Sequence, residues 1–381
     1  MPALPAPSPE AAQHSRRLTQ LIREEIRKSG WLSFARYMEL ALYAPGLGYY
    51  AAGAAKFGPG GDFVTAPEIS PLFGRSLAHC LADVLAETGG DILELGAGSG
   101  RLAEDVLQEL ARLDCLPRRY LILEPSAELA ARQKQRLAAL PATLTGRVQW
   151  LEELPEKTSG VVFGNEVLDA LPVHLLLRRD GIWLERGVTV VGDAFVWEDR
   201  PCGSPGLIAQ AAALDLPEDY LVELHPAAVA LVASLARRLA AGMLLFIDYG
   251  FGRAEYYHPE RRTGTLLCYY RHHVHDDPFF WPGLADITAH VEFTAIAEAA
   301  LGEGLELLGY TSQAAFLLGC GITERLAETP VVDARYLRLA AEVQTLLSPA
   351  EMGELVKVIG FARNLHRLPA GFGLRDARHR L

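Results

Sequence analysis

The chain of 381 residues is 50% hydrophobic and carries 47 acidic against 36 basic side chains, a formal net charge of -11. This charge argues against a broad electrostatic surface for nucleic acid, but it is compatible with a basic protein partner or a cationic side chain entering a locally acidic site. The five cysteines are scattered, which argues against a disulfide framework, and the absence of a long apolar run argues against membrane insertion. The N-terminal segment resembles neither a secretory signal nor a mitochondrial presequence, so we expect a cytoplasmic location.

The first part of the chain is predicted to be helical. Apolar spacing indicates an amphipathic helix over 15–30 and a second helix over 33–42. A loop rich in Gly and Pro follows at 58–68, and helical spacing returns over 69–87. We assign residues 1–88 to an N-terminal helical region that contains a Gly-rich lid loop.

Strands and helices alternate from residue 91 onward. The strands are predicted over 92–95, 120–124, 148–151 and 160–164, with helices over 101–110 and 127–140. Such alternation predicts a parallel sheet with helices on both faces. We therefore expect an α/β fold with a Rossmann-like core, a mainly parallel seven-stranded sheet and several insertions.

The C-terminal half interrupts this alternation. Short β-like runs broken by Gly-containing turns predict a β-hairpin insertion at 173–198, and an aromatic- and His-rich connection at 249–293 is expected on the substrate side. Both insertions belong to the α/β core at 89–317, which is also expected to contain a helix over 227–241 and a strand over 243–248. A helical insertion at 318–350 and a last strand with a tail at 351–381 complete the chain. The segments 305–310 and 356–361 are expected to form a final antiparallel pair.

A Gly-rich loop joins the first core strand to its helix. The strand ends in Glu94 and runs into a loop whose glycines, Gly96, Gly98 and Gly100, let the backbone turn tightly and approach a ligand. The next strand ends in Glu124. In a doubly wound sheet this carboxylate faces the same crevice and accepts hydrogen bonds from ribose hydroxyls.

Two cofactor classes use such a loop. Dinucleotide enzymes prefer Gly-x-Gly-x-x-Gly, with the pyrophosphate against the helix N-terminus. Here Gly100 comes one residue early, and Glu94 would repel a pyrophosphate but suits the cationic amino-acid end of S-adenosylmethionine (SAM). We therefore favour SAM over a dinucleotide or a purely structural turn. Trp150 and Leu151 stand where many SAM enzymes carry an Asp that binds adenine, and two alternatives are open: either Trp150 stacks on adenine or Glu152 makes the contact.

Four segments resemble the MidA-like methyltransferases and occur in that family's order. They are Asn-Glu-Val-Leu-Asp-Ala-Leu-Pro at 165–172, Gly-Asp-Phe-Val-Thr-Ala-Pro-Glu-Ile-Ser at 61–70, Ile-Asp-Tyr-Gly at 247–250 and Gly-Leu-Ala-Asp-Ile-Thr-Ala-His-Val-Glu-Phe at 283–293. The resemblance implies the class I SAM-dependent methyltransferase fold. For the family's best-understood relative it also implies symmetric dimethylation of an arginine on the respiratory complex I subunit that bears the quinone site.

Candidate catalytic residues follow the fourth core strand. Methyl transfer from a sulfonium is mainly a positioning problem, and a guanidinium acceptor needs carboxylates that orient its planar fork. Glu166 is expected to grip the substrate nitrogen, supported by Asp169 and Asn165. The alternative is structural, with Asp169 capping the next helix and Glu166 solvated.

Two further groups of residues are candidates for closing the site. Asp62, Thr65 and Glu68 lie on the Gly-rich loop, which either closes over SAM, with Asp62 toward the substrate, or leaves Glu68 as a helix cap. The second group is Asp286, His290 and Glu292, read as a substrate-side wall with the aromatic residues of 269–281, or as simple packing.

A metal site at 272–277 is not expected, because adjacent histidines on an extended chain point to opposite sides.

Taken together, the motifs and the resemblance predict a SAM-dependent protein methyltransferase acting on arginine, with a complex I subunit as one candidate partner. A small-molecule methyltransferase and a SAM-binding assembly factor with little turnover remain the alternatives. The oligomeric state is left open.

Overall fold

The computed structural model describes residues 4–52, 65–330 and 334–381. The helices are α1 (Pro9–Ser29), α2 (Phe34–Tyr43), α3 (Ala66–Ile69), α4 (Pro71–Thr88), α5 (Arg101–Arg112), α6 (Ala127–Leu137), α7 (Ala142–Thr145), α8 (Pro205–Ala212), α9 (Pro226–Arg238), α10 (Arg253–Tyr256), α11 (Phe293–Gly302), α12 (Gln313–Gly319), α13 (Ile322–Ala327) and α14 (Ala334–Leu347). The strands are β1 (Leu32–Ser33), β2 (Asp91–Leu95), β3 (Tyr120–Leu123), β4 (Val148–Leu151), β5 (Thr158–Asn165), β6 (His174–Arg179), β7 (Ile182–Val191), β8 (Ala194–Pro201), β9 (Val222–Leu224), β10 (Leu239–Phe251), β11 (Leu267–Tyr270), β12 (His273–His275), β13 (Asp286–Thr288), β14 (Val291–Glu292), β15 (Glu306–Ser312) and β16 (Val356–Arg363).

The central sheet follows the order β4-β3-β2-β5-β10-β16-β15, with β14 added beside the end of β10. Strands β4, β3, β2, β5 and β10 are parallel, whereas β16 runs antiparallel to both of its neighbours. The predicted fold class is confirmed: a Rossmann-like α/β core with a mainly parallel sheet.

Helices cover both faces of this sheet. Strand β2 is buried along its whole length, as expected for a strand packed on two sides. One core holds apolar side chains of α4, α5, α12 and α14, and the other is filled mainly by α9 and α11. The parallel strands consequently end along one edge that is left for a site.

The inserted segment forms a second, antiparallel sheet. Strands β8, β7, β6 and β9 pair in that order. Strand β1 pairs with residues 187–188 of β7, beyond the part that pairs with β6. Helices α1 and α2 pack on this sheet through a shared apolar core. By contrast, α4 packs on the central sheet. The domain boundaries expected from the sequence stay predictions.

Several element ends differ from the sequence predictions for local reasons. Helix α1 starts at Pro9 because Ser8 caps it, its hydroxyl accepting a hydrogen bond from Ala11 N at 3.2 Å. The helix predicted over 69–87 is divided, since Ser70 is extended and Pro71 starts α4. In the described ranges, none of the helices combines the length and apolar character that a bilayer crossing requires.

Candidate active site

A cavity of about 350 Å³ lies where the parallel strands of the central sheet end. Its walls include the loops that follow β2, β3 and β5, together with Tyr249 at the end of β10. The lining also includes side chains from outside this edge, namely Tyr43, Tyr50, Tyr269, Asp286, Thr288 and His290. Ligands of open α/β sheets bind at this edge, so the cavity is the candidate active site.

The glycine loop forms one wall of the cavity. Gly96, Gly98 and Gly100 have φ of +59°, +53° and +79°, a region that L side chains rarely adopt. Gly96 and Gly98 line the cavity, whereas Gly100 lies behind them at the start of α5. A Cβ on Gly100 would stand 3.3 Å from Gln133 Cα, so this glycine serves close packing.

Two carboxylates flank the glycine loop. Glu94 is 2% exposed and its Oε2 accepts a hydrogen bond of 2.7 Å from the Tyr120 hydroxyl. Burial, with a further contribution from Glu124, raises the pKa of Glu94 to about 8. Glu124 Oε1 accepts from Ser126 N at 3.0 Å, and Oε2 accepts from Gln133 Nε2 at 2.9 Å. Both acids line the cavity, as expected for residues that hold the two ends of a nucleoside amino acid.

The segment at 65–68 closes the cavity beside the loop. Thr65 and Glu68 both line it, and the Ser99 hydroxyl donates to a Glu68 oxygen. The alternative role of Glu68 as a cap is not observed, because the Ser70 side chain caps α4. Asp62 lies outside the described residues.

Trp150 and Leu151 lie outside the cavity, contrary to the expectation that they contact the cofactor. Strand β4 is the edge strand of the sheet and is separated by β3 from β2, which leads into the glycine loop. The Trp150 indole donates to Gln133 Oε1 at 2.9 Å, and Leu151 packs against an apolar core. Trp150 therefore supports Gln133, which in turn bonds to Glu124.

The far end of the cavity is acidic. Glu166, Asp169 and Asp286 all line it, and Asn165 lies among them. The Asn165 amide donates to Glu166 Oε1 at 3.2 Å, and within the described part of the chain Asn165 Oδ1 is buried without a hydrogen-bond partner. The cavity thus brings together the three expected catalytic residues and two of the expected wall residues, Asp286 and His290.

A buried aspartate that was given no role from the sequence holds this acidic segment. Asp248 is 1% exposed, and its Oδ2 accepts from the backbone N–H groups of Val167, Leu168 and Asp169 at 3.1, 2.8 and 3.4 Å. Glu166 has a left-handed φ of +52°, which is uncommon for a residue with a side chain. Asp248 therefore fixes the turn that directs Glu166 into the cavity.

The carboxylates of this cluster hold protons more tightly than isolated acids do. Burial raises the pKa of Glu166 to about 8, with a contribution from Asp248. The pKa of Asp169 is also raised, by burial and then by Asp248, Glu166 and Asp286. Such crowding of like charges is relieved by a bound cation, so the end of the cavity suits a positively charged substrate group.

Aromatic side chains border the acidic end. The Tyr50 hydroxyl donates to both Asp286 carboxylate oxygens at 3.0 Å, and Tyr43 stacks on Tyr50 with ring centroids 5.5 Å apart. On the other side Tyr249 stacks on His290 at 6.2 Å and 16°. Tyr43, Tyr50 and Tyr249 were not assigned to the site from the sequence, because isolated tyrosines carry no spacing signal.

Glu292 does not belong to the wall that the sequence suggested. It is 4% exposed and is absent from the cavity lining. Its Oε1 accepts from Thr294 N at 2.7 Å, which caps α11, and its Oε2 lies 3.3 Å from Arg253 Nη2. Its role is structural. The His-rich segment at 272–277 likewise stays outside the cavity, and no group of three metal-ligating side chains occurs in the portion of the chain that the structure describes.

The residues of the cavity fit SAM. The donor set is acidic where the cofactor carries ammonium and sulfonium charge, and Glu124 stands at the position that receives ribose hydroxyls in doubly wound sheets. The volume of about 350 Å³ also falls within the range of small-molecule sites.

Comparison with known proteins agrees with this assignment. Residues 72–311 match the family model described as "Putative S-adenosyl-L-methionine-dependent methyltransferase". The Caenorhabditis elegans protein named as a mitochondrial homolog of protein arginine methyltransferase NDUFAF7 is 30% identical, over 84% of this chain and 79% of that protein. Mitochondrial protein arginine methyltransferase NDUFAF7 of Homo sapiens is 29% identical, over 93% and 85% of the two chains.

Two solved structures have the same fold throughout. A Burkholderia thailandensis protein with bound S-adenosyl-homocysteine is 50% identical, covers 100% of both chains and superposes with a TM-score of 0.96. A second Burkholderia thailandensis crystal structure is 49% identical over the same coverage, with a TM-score of 0.93. The cofactor of this chain is accordingly SAM.

One expectation from the sequence is wrong. The cytoplasmic location is contradicted by the curated relatives, whose names place them in mitochondria. That expectation rested on scattered cysteines, which any reducing compartment permits, and on the residue types of the N-terminal segment. A cavity for SAM on a Rossmann-like sheet, the four sequence segments and the family model agree, and the chain belongs to the MidA-like family of SAM-dependent methyltransferases.

Proposed function

We propose that the protein transfers the methyl group of SAM to a guanidino nitrogen of an arginine on a protein partner. The observation that carries this proposal is the convergence of Glu166, Asp169 and Asp286 at one end of the SAM cavity, between aromatic rings. The names of the curated relatives, which are protein arginine methyltransferases, support the same acceptor.

The acidic end has the features that a guanidinium needs. A planar fork of N–H donors pairs with carboxylates that lie in fixed positions, and the surrounding rings favour a delocalised cation. Tyr50 fixes Asp286, and Asp248 fixes the turn that carries Glu166. Since both acids are held from behind, the acceptor nitrogen would be oriented rather than merely attracted.

The bound cofactor supplies an electrophilic methyl group on a sulfonium. Glu166 and Asp169 hold the guanidinium so that one nitrogen faces that methyl group, and they exclude water from it. Methylation of a guanidinium nitrogen releases one proton, and a Glu166 carboxylate whose pKa is raised to about 8 is able to accept it. Glu166 thus combines substrate binding with proton acceptance.

The test is incorporation of labelled SAM methyl groups into a protein extract, followed by mass spectrometry of the modified residue. A respiratory complex I fraction is the first substrate to assay, because the family resemblance suggests it. We expect methylarginine, and we expect Glu166→Gln to reduce its formation by about 100-fold or more. Glu156→Gln is the matched control, since Glu156 is exposed and does not line the cavity.

Three results would overturn the proposal. Label confined to lysine would assign a different acceptor, and label confined to a metabolite would assign a small-molecule methyltransferase. SAM binding without any transfer to extract proteins would favour an assembly factor that acts by binding. Equal methylation by the Glu166 and Glu156 variants would remove Glu166 from the mechanism.

A further inference from the structure

The cavity has an uneven charge distribution. Among the described residues that line it, six are carboxylates and one, Arg101, is a permanent cation. Arg101 is the first residue of α5, directly after the glycine loop, and it reaches the wall where Ser99 and Glu68 meet. The neighbouring Glu68 is already engaged by the Ser99 hydroxyl.

A second acid orients the Arg101 guanidinium. Asp105 is 7% exposed, and its Oδ2 accepts from Arg101 Nε at 3.0 Å. The two terminal nitrogens of Arg101 have no partner in the part of the chain that the structure describes. Because a guanidinium presents its donors in a rigid fork, a grip at Nε leaves the Nη groups available to a ligand in the cavity.

The cofactor brings one anionic group into this acidic cavity. The amino-acid end of SAM carries an ammonium, which suits Glu94, and a carboxylate, which the cavity acids repel. A carboxylate is stabilised best by the bidentate donors of a guanidinium, and the positive end of α5 contributes in the same sense. Among the described residues that line the cavity, Arg101 is the one that carries a guanidinium.

We propose that Arg101 binds the carboxylate of SAM and that Asp105 acts as a positioning residue for its guanidinium. The site thereby recognises the whole zwitterion, with carboxylates at the ammonium and a guanidinium at the carboxylate. This inference concerns the cofactor and holds whatever the methyl acceptor is.

A comparison of two ligands isolates the amino-acid end of the cofactor, and within that end only the anionic carboxylate gains from a guanidinium. S-Adenosyl-homocysteine carries the amino-acid end, whereas 5′-methylthioadenosine keeps the adenosine and the sulfur but lacks the ammonium and the carboxylate. Calorimetric titration of the full-length protein with each ligand gives the dissociation constants. We expect Arg101→Gln to weaken S-adenosyl-homocysteine by about 10- to 100-fold and to leave 5′-methylthioadenosine within about twofold.

Arg136→Gln is the matched control. Arg136 Nε donates to Ser99 O at 2.9 Å, so it supports the same loop without lining the cavity, and any effect should fall equally on both ligands. Arg101→Lys keeps the charge without the fork and should give a smaller, still selective, loss; it replaces Arg101→Gln in the comparison if the latter shows no cooperative melting. An unchanged affinity for S-adenosyl-homocysteine, or an equal loss for both ligands, would overturn the assignment.

Discussion

Replacing Asp248 by asparagine should damage catalysis more than cofactor binding. Asp248 Oδ2 accepts three backbone N–H groups, and its Oδ1 accepts Tyr249 N at 2.8 Å. Asparagine keeps one acceptor, and its amide would face the Tyr249 N–H, donor against donor. A buried N–H left unsatisfied costs about 1–3 kcal/mol of unfolding free energy. The other three bonds also lose the strength that the negative charge gave them.

The consequence for activity comes through Glu166. Its left-handed backbone conformation is held by the turn that Asp248 binds, and a displacement of about 1 Å at a reacting group costs about 100-fold in rate. We therefore expect kcat to fall by about this factor in Asp248→Asn. The dissociation constant of S-adenosyl-homocysteine should change by less than about threefold, because Asp248 does not line the cavity.

Asp91→Asn separates stability from catalysis. Asp91 is also buried, at 2% exposure, and it pairs with Arg118 and Arg119 at 2.8 and 2.6 Å, away from the cavity. Its replacement should lower the free energy of unfolding in urea without a selective loss of kcat. The reasoning fails if Asp248→Asn is destabilised but retains the wild-type kcat, or if both variants lose kcat in proportion to stability.

The remaining predictions concern protonation and the cofactor wall. Burial raises the pKa of Glu94 and Glu166 to about 8 from the ordinary value of 4.5. The unliganded protein should therefore lose stability as the pH rises from about 4.5 through about 8; thermal melts across this range test this, and a flat profile would contradict it. Turnover should rise over the same interval, because pairing with a guanidinium requires ionised Glu166. Gly100→Ala should lower the unfolding free energy by about 1–2 kcal/mol, since alanine is strained at φ +79°, and chemical denaturation measures this loss. Trp150→Phe removes the hydrogen bond to Gln133 and keeps an aromatic ring, so calorimetry should find S-adenosyl-homocysteine weakened by less than about fivefold; a larger loss would restore Trp150 as a direct contact.

The parallel core was predictable because its signals are local. Apolar runs separated by helical spacing identify β2, β3, β4 and β5, and the glycine loop marks the first turn at the end of β2. The loop glycines and the acids could be placed at one edge because the carboxyl ends of parallel strands meet there. Glu94, Glu124 and Glu166 accordingly line one cavity, as their positions after the strands suggested.

The parts that failed depend on long-range packing. Trp150 lies within β4, whereas Glu124 directly follows β3, and the position of β4 at the edge of the sheet is not revealed by any local pattern. Glu292 sits in a family-like segment, yet it turns to cap α11 and to pair with Arg253. Asp248 was within a recognised segment, but its role appears only when the turn after β5 is brought against it.

The aromatic border illustrates the same limit. Tyr43 and Tyr50 come from the N-terminal region, whereas Asp286, which Tyr50 binds, is more than two hundred positions further on. Their meeting depends on α1 and α2 packing against the inserted sheet rather than on the core. Sequence spacing carries no information about such a contact.

The assignment of one end of the cavity to SAM and the other to the acceptor is tested most directly by comparing Glu124→Gln with Glu166→Gln. The same preparation of each variant is used for calorimetry with S-adenosyl-homocysteine and for methyl transfer to protein arginine. We expect the two substitutions to affect different steps. Glu124→Gln should lower the affinity for S-adenosyl-homocysteine by about 10- to 100-fold, whereas Glu166→Gln should bind this ligand as the wild type does and transfer almost no methyl groups. If the two variants lost ligand affinity alike, or if Glu166→Gln transferred methyl groups at the wild-type rate, the assignment of one end of the cavity to SAM and the other to the acceptor would be contradicted.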